Sequence, residues 1–190
     1  MSITFTTGLM GSGKSKTLIN EYSLSCFKQQ KVIAFTATIK EDFSDTSEIT
    51  SRNGNSIKCY SIHKKNYNEI LTHIKNLQKG TKVFIDEVQF LPLDFIKSLF
   101  FIEDIDIHLY GLLETFTADY FETSDYLIKN LPKRNIEFIG KICDNENCLN
   151  MARRNGRIID GKIVYSGETF VESKQVYKSL CTYHYTNYNN

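Results

Sequence analysis

The sequence predicts an α/β fold in which a parallel sheet carries helices on both faces and is followed by a small β-rich appendage. Short apolar runs at residues 32–35, 83–85 and 105–110 alternate with segments that have a helical apolar period. Buried strands that alternate with helices are typical of parallel sheets. After Gly140 the sequence pattern changes, and short β-rich segments alternate with closely spaced turn residues. We therefore expect two units, residues 1–140 and residues 141–190.

The composition limits the partners that this protein can have. The chain has 190 residues, of which 41% are hydrophobic and 24% charged, and its net charge is +1. The sequence lacks a basic stripe with interleaved aromatic residues, the pattern that would indicate nucleic-acid binding. It also has no apolar run long enough to span a bilayer. Five cysteines, two of them lone and set in periodic patterns, argue against a disulfide framework and indicate a reducing compartment. We expect a cytoplasmic protein without a signal peptide and without nucleic-acid or membrane partners.

Strands and helices alternate along the first unit. Strands are predicted at residues 2–7, 32–35, 82–87, 105–110 and 136–139. Helices are predicted over residues 14–29, from a Ser61 cap to a stop at Gly80, and from Pro92 to Phe100. The polar stretch at residues 40–55 lacks periodicity, so we expect a long loop there, a kind of segment that is usually functional or mobile.

A glycine-rich motif lies between the first strand and the first helix. It has the pattern Gly-x-x-x-x-Gly-Lys-Ser and comprises Gly8, Leu9, Met10, Gly11, Ser12, Gly13, Lys14 and Ser15. After a strand and before a helix this pattern predicts a P-loop, whose backbone N–H groups bind the phosphates of a nucleoside triphosphate. Lys14 would reach the β- and γ-phosphate oxygens, and the Ser15 hydroxyl would bind Mg²⁺. The sequence therefore predicts a P-loop NTPase-type sheet.

Two carboxylates end the apolar strand at residues 82–87. Asp86 stands where P-loop proteins have the carboxylate that holds Mg²⁺ directly or through water. Glu87 is expected to point elsewhere, because side chains alternate along a strand. Its carboxylate suits general-base chemistry, either activating water in an ATPase or taking the proton of a substrate hydroxyl in a kinase.

Three cysteines and a histidine near the carboxyl terminus form two close pairs. Cys143 is paired with Cys148, and Cys181 with His184, across a β-rich insert. Thiolate and imidazole ligands in a three-plus-one set favour tetrahedral Zn²⁺, and four protein ligands leave no open position, so we expect a structural site. A small appendage with few core residues needs the stabilisation that such a metal cross-link provides. The appendage is therefore predicted to be zinc-stapled.

Several motifs occur together in one order along the chain. An Asp-Glu-x-Gln-Phe segment at residues 86–90 and a Ser-Arg-x-Gly segment at residues 51–54 accompany the glycine-rich motif and the Cys/His pairs. In this combination the sequence resembles the type II thymidine kinases, the family of human-cytosolic, bacterial and viral deoxynucleoside kinases. The resemblance covers essentially the whole chain. It implies that Glu87 is the general base and that Asp86 and Gln89 belong with the nucleotide-binding residues.

The same resemblance implies a set of residues around the nucleoside. Met10 stands where the family has a methionine beside the base, and residues 111–121 resemble its Gly-Leu-x-x-x-Phe-x-x-x-x-Phe segment. A lasso loop that closes over the base through backbone hydrogen bonds is implied shortly before Tyr177. The implied substrate-binding residues are Met10, Phe90, Leu112, Phe116, Phe121, Phe170, Val171, Glu172, Ser173 and Tyr177.

The family resemblance implies an ATP-dependent kinase for the 5′-hydroxyl of thymidine, and of deoxyuridine, that serves DNA synthesis by nucleotide salvage. The implied cofactors are ATP, Mg²⁺ and a structural Zn²⁺, and the implied assembly is a homotetramer. One departure is the usual Asp-x-Arg, which reads Glu41-Asp42-Phe43 here. Phosphoryl transfer depends on cations around the equatorial oxygens, so Phe43 predicts a slow enzyme. Departures at Leu113, Ala118, Asp119, Glu172 and Ser173 bear on the identity of the substrate.

Two other interpretations remain open. A P-loop ATPase whose zinc appendage binds nucleic acid or protein would hydrolyse ATP in response to that partner and would be indifferent to nucleosides. A catalytically weakened relative, suggested by the missing arginine, would bind nucleosides without phosphorylating them.

Overall fold

The computed structural model of the protein describes residues 2–39, 44–167 and 176–188. Seven strands form its larger sheet: β1 Ser2–Gly8, β2 Val32–Ala37, β3 Thr46–Thr50, β4 Ser56–Ile62, β5 Lys82–Asp86, β6 Asp106–Gly111 and β7 Ile136–Ile139. Their order across the sheet is β3-β4-β2-β5-β6-β1-β7. Every neighbouring pair is parallel except β3 with β4. The predicted α/β fold with a mainly parallel sheet is confirmed.

Four helices cover the two faces of this sheet. They are α1 Lys14–Phe27, α2 Tyr67–Lys75, α3 Leu93–Leu99 and α4 Glu122–Asn130. Helix α1 packs Leu18 against Phe84 of β5 on one face, whereas the other three helices lie on the opposite face, where Ile85 of β5 is buried. Consecutive strand residues point to opposite faces, so each central strand supplies both cores.

The appendage is a second, smaller sheet with one short helix. Its strands are β8 Arg154–Ile159, β9 Lys162–Val164 and β10 Val176–Leu180, in the antiparallel order β10-β8-β9. Helix α5 Thr182–Thr186 follows. The hydrophobic core of this region consists of Ile158, Ile163 and Leu180 together with Cys143 and Cys181. The expected small β-rich appendage is present.

The stretch predicted as a long loop contains much of an antiparallel hairpin. Strands β3 and β4 pair from Thr46 with Tyr60 to Thr50 with Ser56. The prediction was wrong because β3 is polar and buries only Ile49, so it lacks the alternation of a typical strand. Residues 40–43, including the departure at Phe43, lie outside the described residues.

Two helix predictions also need correction. Ser61 does not cap a helix, because Ser61 and Ile62 belong to β4 and pair with β2, and α2 begins only at Tyr67. Helix α4 has no counterpart in the sequence prediction, because two of its three buried residues carry hydroxyl groups and form no apolar stripe. Across the described ranges, no helix combines the length and apolar character needed to cross a bilayer.

Candidate functional site

The glycine-rich loop (residues 8–15) joins β1 to α1 at the carboxyl edge of the parallel strands. Strand β1 is next to β6, and β6 is next to β5, so three neighbouring strands bring Gly8, Asp86 and Gly111 to one edge. Open α/β sheets bind their ligands at this edge. Gly11 and Gly13 have φ values of 67° and 103°, which glycine adopts without steric cost. The loop can therefore curve with its backbone N–H groups facing inward.

Lys14 and Ser15 form the first turn of α1. Lys14 is only 8% exposed, and its Nζ donates to the carbonyl oxygens of Gly8 at 3.2 Å and Leu9 at 3.0 Å. Burial lowers the pKa of Lys14, and the nearby carboxylates of Glu87 and Asp86 oppose that change. The ammonium group thus lies against the inner side of the loop, close to two negative charges.

Asp86 faces Ser15 from the end of β5. Ser15 Oγ donates to Asp86 Oδ2 at 2.9 Å, and the Glu87 N–H donates to Asp86 Oδ1 at 3.0 Å. Burial first, and then the charge of Glu87, raise the pKa of Asp86, against the lowering effect of the hydrogen bond from Ser15. A hydroxyl and a carboxylate at this distance are the hard oxygen ligands that Mg²⁺ prefers. These two residues therefore fit the predicted magnesium site.

Glu87 leaves the geometry of the strand. It has φ 57° and ψ 36°, a left-handed conformation, at the start of a 3-10 turn at Val88–Phe90. For a residue other than glycine this costs about 1–2 kcal/mol, and such strain clusters at functional sites. The strand was predicted to include Glu87, but β5 ends at Asp86, so the direction of the Glu87 side chain is set by this turn and not by strand alternation.

Gln89 links the Glu87 carboxylate to the end of β6. Its Nε2 donates to Glu87 Oε2, and its Oε1 accepts the Leu112 N–H at 2.9 Å. A Cβ atom added to Gly111 would lie 2.6 Å from the Gln89 Oε1, so glycine is needed for this close approach. Gln89 is 6% exposed. Gln89 therefore connects the Glu87 carboxylate with the predicted nucleoside segment, and its predicted place among the nucleotide-binding residues stays a prediction.

Arg52 brings a second cation to the glycine-rich loop. A Cβ atom added to Gly11 would lie 2.5 Å from the Arg52 Cζ, so the guanidinium group rests on the loop. The Ser51 hydroxyl holds the turn that presents Arg52, donating at 2.6 Å to Asn53 Oδ1 and lying 3.0 Å from the Asn55 carbonyl oxygen. The Ser-Arg-x-Gly pattern marked Arg52 in the sequence but assigned it no role. Its position on Gly11 becomes visible only in the fold.

A cleft of about 460 Å³ opens over these groups. It is lined by Met10, Lys14, Ser15, Arg52, Glu87 and Leu112, with further residues of the loop and of the turn at residues 50–53. Cations, a hydroxyl and a carboxylate base thus share one concave space. This is the arrangement that phosphoryl transfer requires.

Two of the predicted nucleoside-binding residues, Met10 and Leu112, line this cleft, and the described aromatic ones make other contacts. The rings of Phe90 and Phe121 meet edge to face, with centroids 6.3 Å apart. Phe116 is buried, and the Arg157 guanidinium carbon lies 4.9 Å from the centre of its ring. Tyr177 of β10 pairs with Arg157 of β8. The predicted lasso residues Phe170, Val171, Glu172 and Ser173 lie outside the described residues.

The four predicted metal ligands come together in the appendage. Ligand atoms of Cys143, Cys148, Cys181 and His184 all lie within 4.8 Å of one another. The His184 Nδ1 is 3.5 Å from the Cys143 Sγ and 3.4 Å from the Cys181 Sγ, and the Cys148 and Cys181 sulfurs are 3.9 Å apart. A tetrahedral zinc ion with Zn–S bonds of about 2.3 Å separates its sulfurs by roughly 3.8 Å. The donor set and its spacing are therefore compatible with a zinc site.

Beyond the ligands, His184 has the outer contact that zinc-bound histidines usually show. Its Nε2 lies 3.1 Å from the side-chain amide of Asn145, which is in the loop between Cys143 and Cys148. The Asn145 atom at this distance is Nδ2. A metal on Nδ1 would place the ring proton on Nε2, and the amide, turned over, would then present its oxygen as the acceptor. This contact fixes the ring orientation that a metal would need.

An open α/β sheet that gathers such groups at the carboxyl edge of its strands belongs to the class of nucleotide-binding α/β proteins. Comparison with known proteins narrows this class. The family profile described as thymidine kinase matches residues 1–185. The chain belongs to the thymidine kinase family, and it is therefore a kinase, a transferase.

Individual relatives agree with the family profile. A thymidine kinase of Bacillus subtilis subsp. natto is 38% identical over 98% of this chain and 97% of that protein. Thymidine kinases of Streptococcus thermophilus (strain CNRZ 1066) and Mannheimia succiniciproducens are 31% and 30% identical, over 96% and 93% of this chain and 92% and 90% of those proteins. Among solved structures, the large terminase of a thermophilic bacteriophage has a TM-score of 0.44 at 11% identity, over 71% of this chain and 39% of that one. That likeness carries no argument about function.

Proposed function

We propose that this protein is a thymidine kinase that transfers the γ-phosphoryl group of ATP to the 5′-hydroxyl of thymidine, and also of deoxyuridine, for nucleotide salvage. The observation that carries the proposal is the shared cleft, which is lined by Lys14, Arg52, Glu87 and Ser15, the hydrogen-bond partner of Asp86. The family and its named relatives support the substrate. They do not favour an ATPase stimulated by nucleic acid or protein.

The glycine-rich loop acts as a P-loop in this proposal. Its inward N–H groups and the start of α1 bind the ATP phosphates, so Leu9, Ser12 and the three glycines act through their backbones. Lys14 reaches the β- and γ-phosphate oxygens once it exchanges its two carbonyl partners for phosphate. Ser15 and Asp86 would hold Mg²⁺, which supplies positive charge to the phosphates when it is bound.

Glu87 takes the proton of the 5′-hydroxyl as the oxygen attacks phosphorus in line with the departing ADP. Its carboxylate is fixed at one end by Gln89, which is itself fixed by the Leu112 N–H. A base that is already oriented does not have to be ordered in the transition state. The left-handed backbone at Glu87 turns this carboxylate out of the strand so that it and Asp86 serve different partners.

Arg52 supplies positive charge at the site in a chain whose residues 41–43 lack the arginine that is usual in the family. Its guanidinium rests on Gly11 beside Lys14, close enough to reach phosphate oxygens bound by the loop. Guanidinium groups pair with phosphate in a bidentate manner. The slow turnover expected from Phe43 is therefore offset in part by Arg52.

In this proposal the nucleoside binds next to the part of the cleft that Met10 and Leu112 line. We assign the contacts with the base to Met10, Phe90, Leu112, Phe116 and Phe121, with Tyr177 and the lasso residues 170–173 closing over it. Closure would exclude water and so suppress hydrolysis of ATP. The Cys/His cluster holds a structural Zn²⁺, and we divide the chain into a nucleotide-binding domain at residues 1–140 and a zinc-binding domain at residues 141–190.

We further propose that the enzyme works in the cytoplasm as a homotetramer. A reducing compartment would keep the thiolate ligands free, and all five cysteines are free. The assembly rests on family resemblance alone, and sedimentation of the purified protein tests it.

The substrate is tested with the purified protein, ATP, Mg²⁺ and a panel of nucleosides. We expect ADP and thymidine monophosphate to appear together when thymidine is present, and little ADP without a nucleoside. Absence of thymidine- or deoxyuridine-dependent ADP at every tested pH would refute the proposal. ADP release that ignores nucleosides would favour the ATPase interpretation instead.

The proposed base is tested with Glu87→Gln. We expect turnover to fall by about 10²–10⁴-fold while the affinity for ATP stays the same. Glu103→Gln is the matched control, because this exposed carboxylate lies on the loop that enters β6 at the opposite edge of the sheet. Unchanged turnover in Glu87→Gln would mean that another group is the base.

Arg52→Gln tests the second cation. A charge-assisted hydrogen bond is worth about 1.5–3 kcal/mol, so we expect kcat/KM for ATP to fall by roughly 10- to 100-fold. Arg52→Lys should recover part of this loss. Lys58→Gln removes a positive charge from the same hairpin, where Lys58 pairs with Glu48 outside the cleft, and should leave kcat/KM unchanged. Equal effects of Arg52→Gln and Lys58→Gln would exclude a specific role.

A further inference from the structure

Two side chains of the appendage bind the backbone of Met10, in the middle of the glycine-rich loop. The Met10 N–H donates to Asn155 Oδ1 at 2.9 Å, and the Met10 carbonyl oxygen accepts the Ser179 hydroxyl at 2.7 Å. Asn155 is 2% exposed and Ser179 is fully buried. Both backbone polar groups of one loop residue are therefore bound by a distant part of the chain.

The small sheet sets the spacing of this pair. Asn155 of β8 and Ser179 of β10 are direct partners in the antiparallel register. Side chains of directly opposite residues stand side by side on one face of a sheet. The distance between the two groups that hold Met10 is thus fixed by strand pairing within the appendage.

The predicted metal loop joins the same network. Asp144, which follows Cys143, accepts the Ser179 N–H at 2.7 Å and the Lys141 ammonium at 2.6 Å through Oδ2. The Asp144 N–H donates to the Ser179 carbonyl oxygen at 2.8 Å, and Lys141 Nζ lies 3.5 Å from the Met10 carbonyl oxygen. The Cys143–Cys148 loop and the hold on Met10 are therefore directly connected.

Asn155 also reaches the nucleoside segment. Its Nδ2 donates to the Glu114 carbonyl oxygen at 3.3 Å, and the neighbouring Arg154 pairs with the buried Glu114 carboxylate at 2.6 Å. One amide side chain thus bridges the glycine-rich loop and the segment after β6. The position of the Asn155 side chain is therefore fixed by two contacts, one with Met10 and one with Glu114.

The hold on Met10 adds to the bonds that the carbonyl oxygens of Gly8 and Leu9 accept from Lys14. Met10 is followed by Gly11 at φ 67°, and glycine has more backbone freedom to lose than any other residue. Phosphate binding requires successive N–H groups to converge on one point. A loop that is already ordered binds phosphate without the entropic cost of ordering it.

We propose that Asn155 and Ser179 are positioning residues that hold Met10 and so keep the glycine-rich loop in its phosphate-binding shape, which makes ATP affinity depend on the appendage. The inference rests on the proposed function only in taking ATP as the ligand of the loop. Neither side chain lines the cleft over the loop, so the effect on ATP is indirect.

The test measures ATP affinity by calorimetry with Mg²⁺ present, in Asn155→Ala and Ser179→Ala. A hydrogen bond contributes about 1 kcal/mol, so we expect each dissociation constant to rise by about fivefold to tenfold. Ile163→Val is the matched control, since it removes a methyl group from the core of the same small sheet without touching Met10. Ile163→Val should lower the melting temperature about as much as Asn155→Ala and Ser179→Ala do, but it should leave ATP affinity unchanged.

Amide hydrogen exchange gives a second measurement that a merely structural role would not change. In Asn155→Ala we expect faster exchange at residues 9–12, with the protection of β8 and β10 retained. Ser179→Thr keeps the hydroxyl and should keep more of the ATP affinity than Ser179→Ala does. This rescue separates loss of the hydrogen bond from loss of packing.

The outcomes are distinct. Equal ATP affinity in the parent, Asn155→Ala and Ser179→Ala proteins would overturn the inference, as would an equal loss in Ile163→Val. Failure of the parent protein to bind ATP would overturn it together with the proposed function. The expected order of affinities in a protein that does not phosphorylate thymidine would support the inference and contradict only the proposed substrate.

Discussion

The two sheets of this protein are stabilised by different means. The large sheet buries twenty residues in the core against α2, α3 and α4 and seven in the core against α1. The small sheet has a core of five buried residues, and two of them are cysteines of the Cys/His cluster. Burial of one aliphatic side chain contributes about 1.5–3 kcal/mol, whereas ordering one residue costs about 1–2 kcal/mol. The small sheet therefore depends on its cluster, and the large one does not.

Because of this difference, the two regions depend on each other unequally. Asp86 and Glu87 stand at the end of β5 in the large sheet, whose own core holds them in place. The small sheet holds Met10 through Asn155 and Ser179. Loss of the appendage should therefore leave the large sheet folded but weaken its nucleotide site.

Removing the proposed zinc ion should have the largest effect. Structural zinc contributes about 10–16 kcal/mol to the folding of small zinc domains, so chelation, or Cys181→Ser, should unfold β8 to β10 and leave β1 to β7 intact. Amide exchange in the two regions and the metal content of the protein measure this. Cys26→Ser is the matched control, because Cys26 is an exposed cysteine on α1, and it should keep the metal.

Metal removal should also weaken ATP binding, through the network from Asp144 to Ser179 and Met10. In the Ser179→Ala variant, chelation should cause a smaller additional loss than in the parent protein, because part of the connection is already broken. If chelation unfolds both sheets in one transition, the two regions form a single cooperative unit, and the large sheet is not independent of the Cys/His cluster.

A cavity in the large core should have the next largest effect. Phe35 of β2 is fully buried and contacts the rings of Tyr60 and His73. Phe35→Ala should lower the free energy of unfolding by about 3–5 kcal/mol, measured by urea denaturation, while the metal content under native conditions stays the same. Phe27→Ala is the control, since Phe27 is 85% exposed at the end of α1. Loss of metal from native Phe35→Ala protein would contradict the asymmetry.

Most of the large sheet could be predicted from the sequence because its information is local. Runs such as residues 83–85 are apolar throughout, as expected for strands buried on both faces, and the chemical motifs stand directly at their ends. The β3–β4 hairpin could not be predicted in this way. Its first strand buries only Ile49 and lies at the sheet edge, so local pattern and burial do not correspond.

The parts of the site that escaped prediction are those that depend on contacts between distant segments. Arg52 was visible as part of a motif, but its contact with Gly11 depends on a hairpin that the sequence did not reveal. Asn155 and Ser179 are 145 and 169 residues from Met10. They are ordinary polar residues in short strands, so no periodicity or motif distinguishes them.

Relief of backbone strain should have opposite effects on stability and on function at Glu87. Its left-handed conformation costs about 1–2 kcal/mol, a cost that glycine does not have. Glu87→Gly should therefore gain about 1 kcal/mol in the free energy of unfolding, less the greater entropy of its unfolded chain, and should lose turnover. Glu87→Gln should lose turnover without any gain in stability.

The small sheet offers a matched position for this comparison. Asp160 has φ 48° in the turn between β8 and β9, where Gly161 follows. Asp160→Gly should change stability less, because Asp tolerates this conformation better than Glu does, and it should leave turnover unchanged. Equal stability gains at both positions would show that the strain at Glu87 has no special connection with the site.

The smallest expected effect is the acid sensitivity that His108 gives to the large sheet. His108 stacks on Phe84 with ring centroids 4.9 Å apart, and its buried Nε2 has no hydrogen-bond partner among the residues that the structure describes. Burial lowers the pKa of His108, with Glu21 of α1 and Asp106 acting against this change and Lys82 of β5 acting with it. The ring is therefore neutral at pH 7, and its 3.7 Å approach to Glu21 is not an ion pair there.

The direction of the pH dependence follows from this lowered pKa. The unfolded chain binds a proton at His108 near pH 6.5, whereas the folded protein resists protonation to a lower pH, so the stabilising contribution is present above about pH 6.5 and is lost as the pH falls. His108→Phe keeps the ring stacked on Phe84 and removes the titration. Urea denaturation between pH 7.5 and pH 5.5 should therefore show a steeper loss of stability in the parent protein than in His108→Phe. Since both proteins carry the same Cys/His cluster, acid release of metal affects them equally, and identical slopes would assign all the acid sensitivity to groups other than His108.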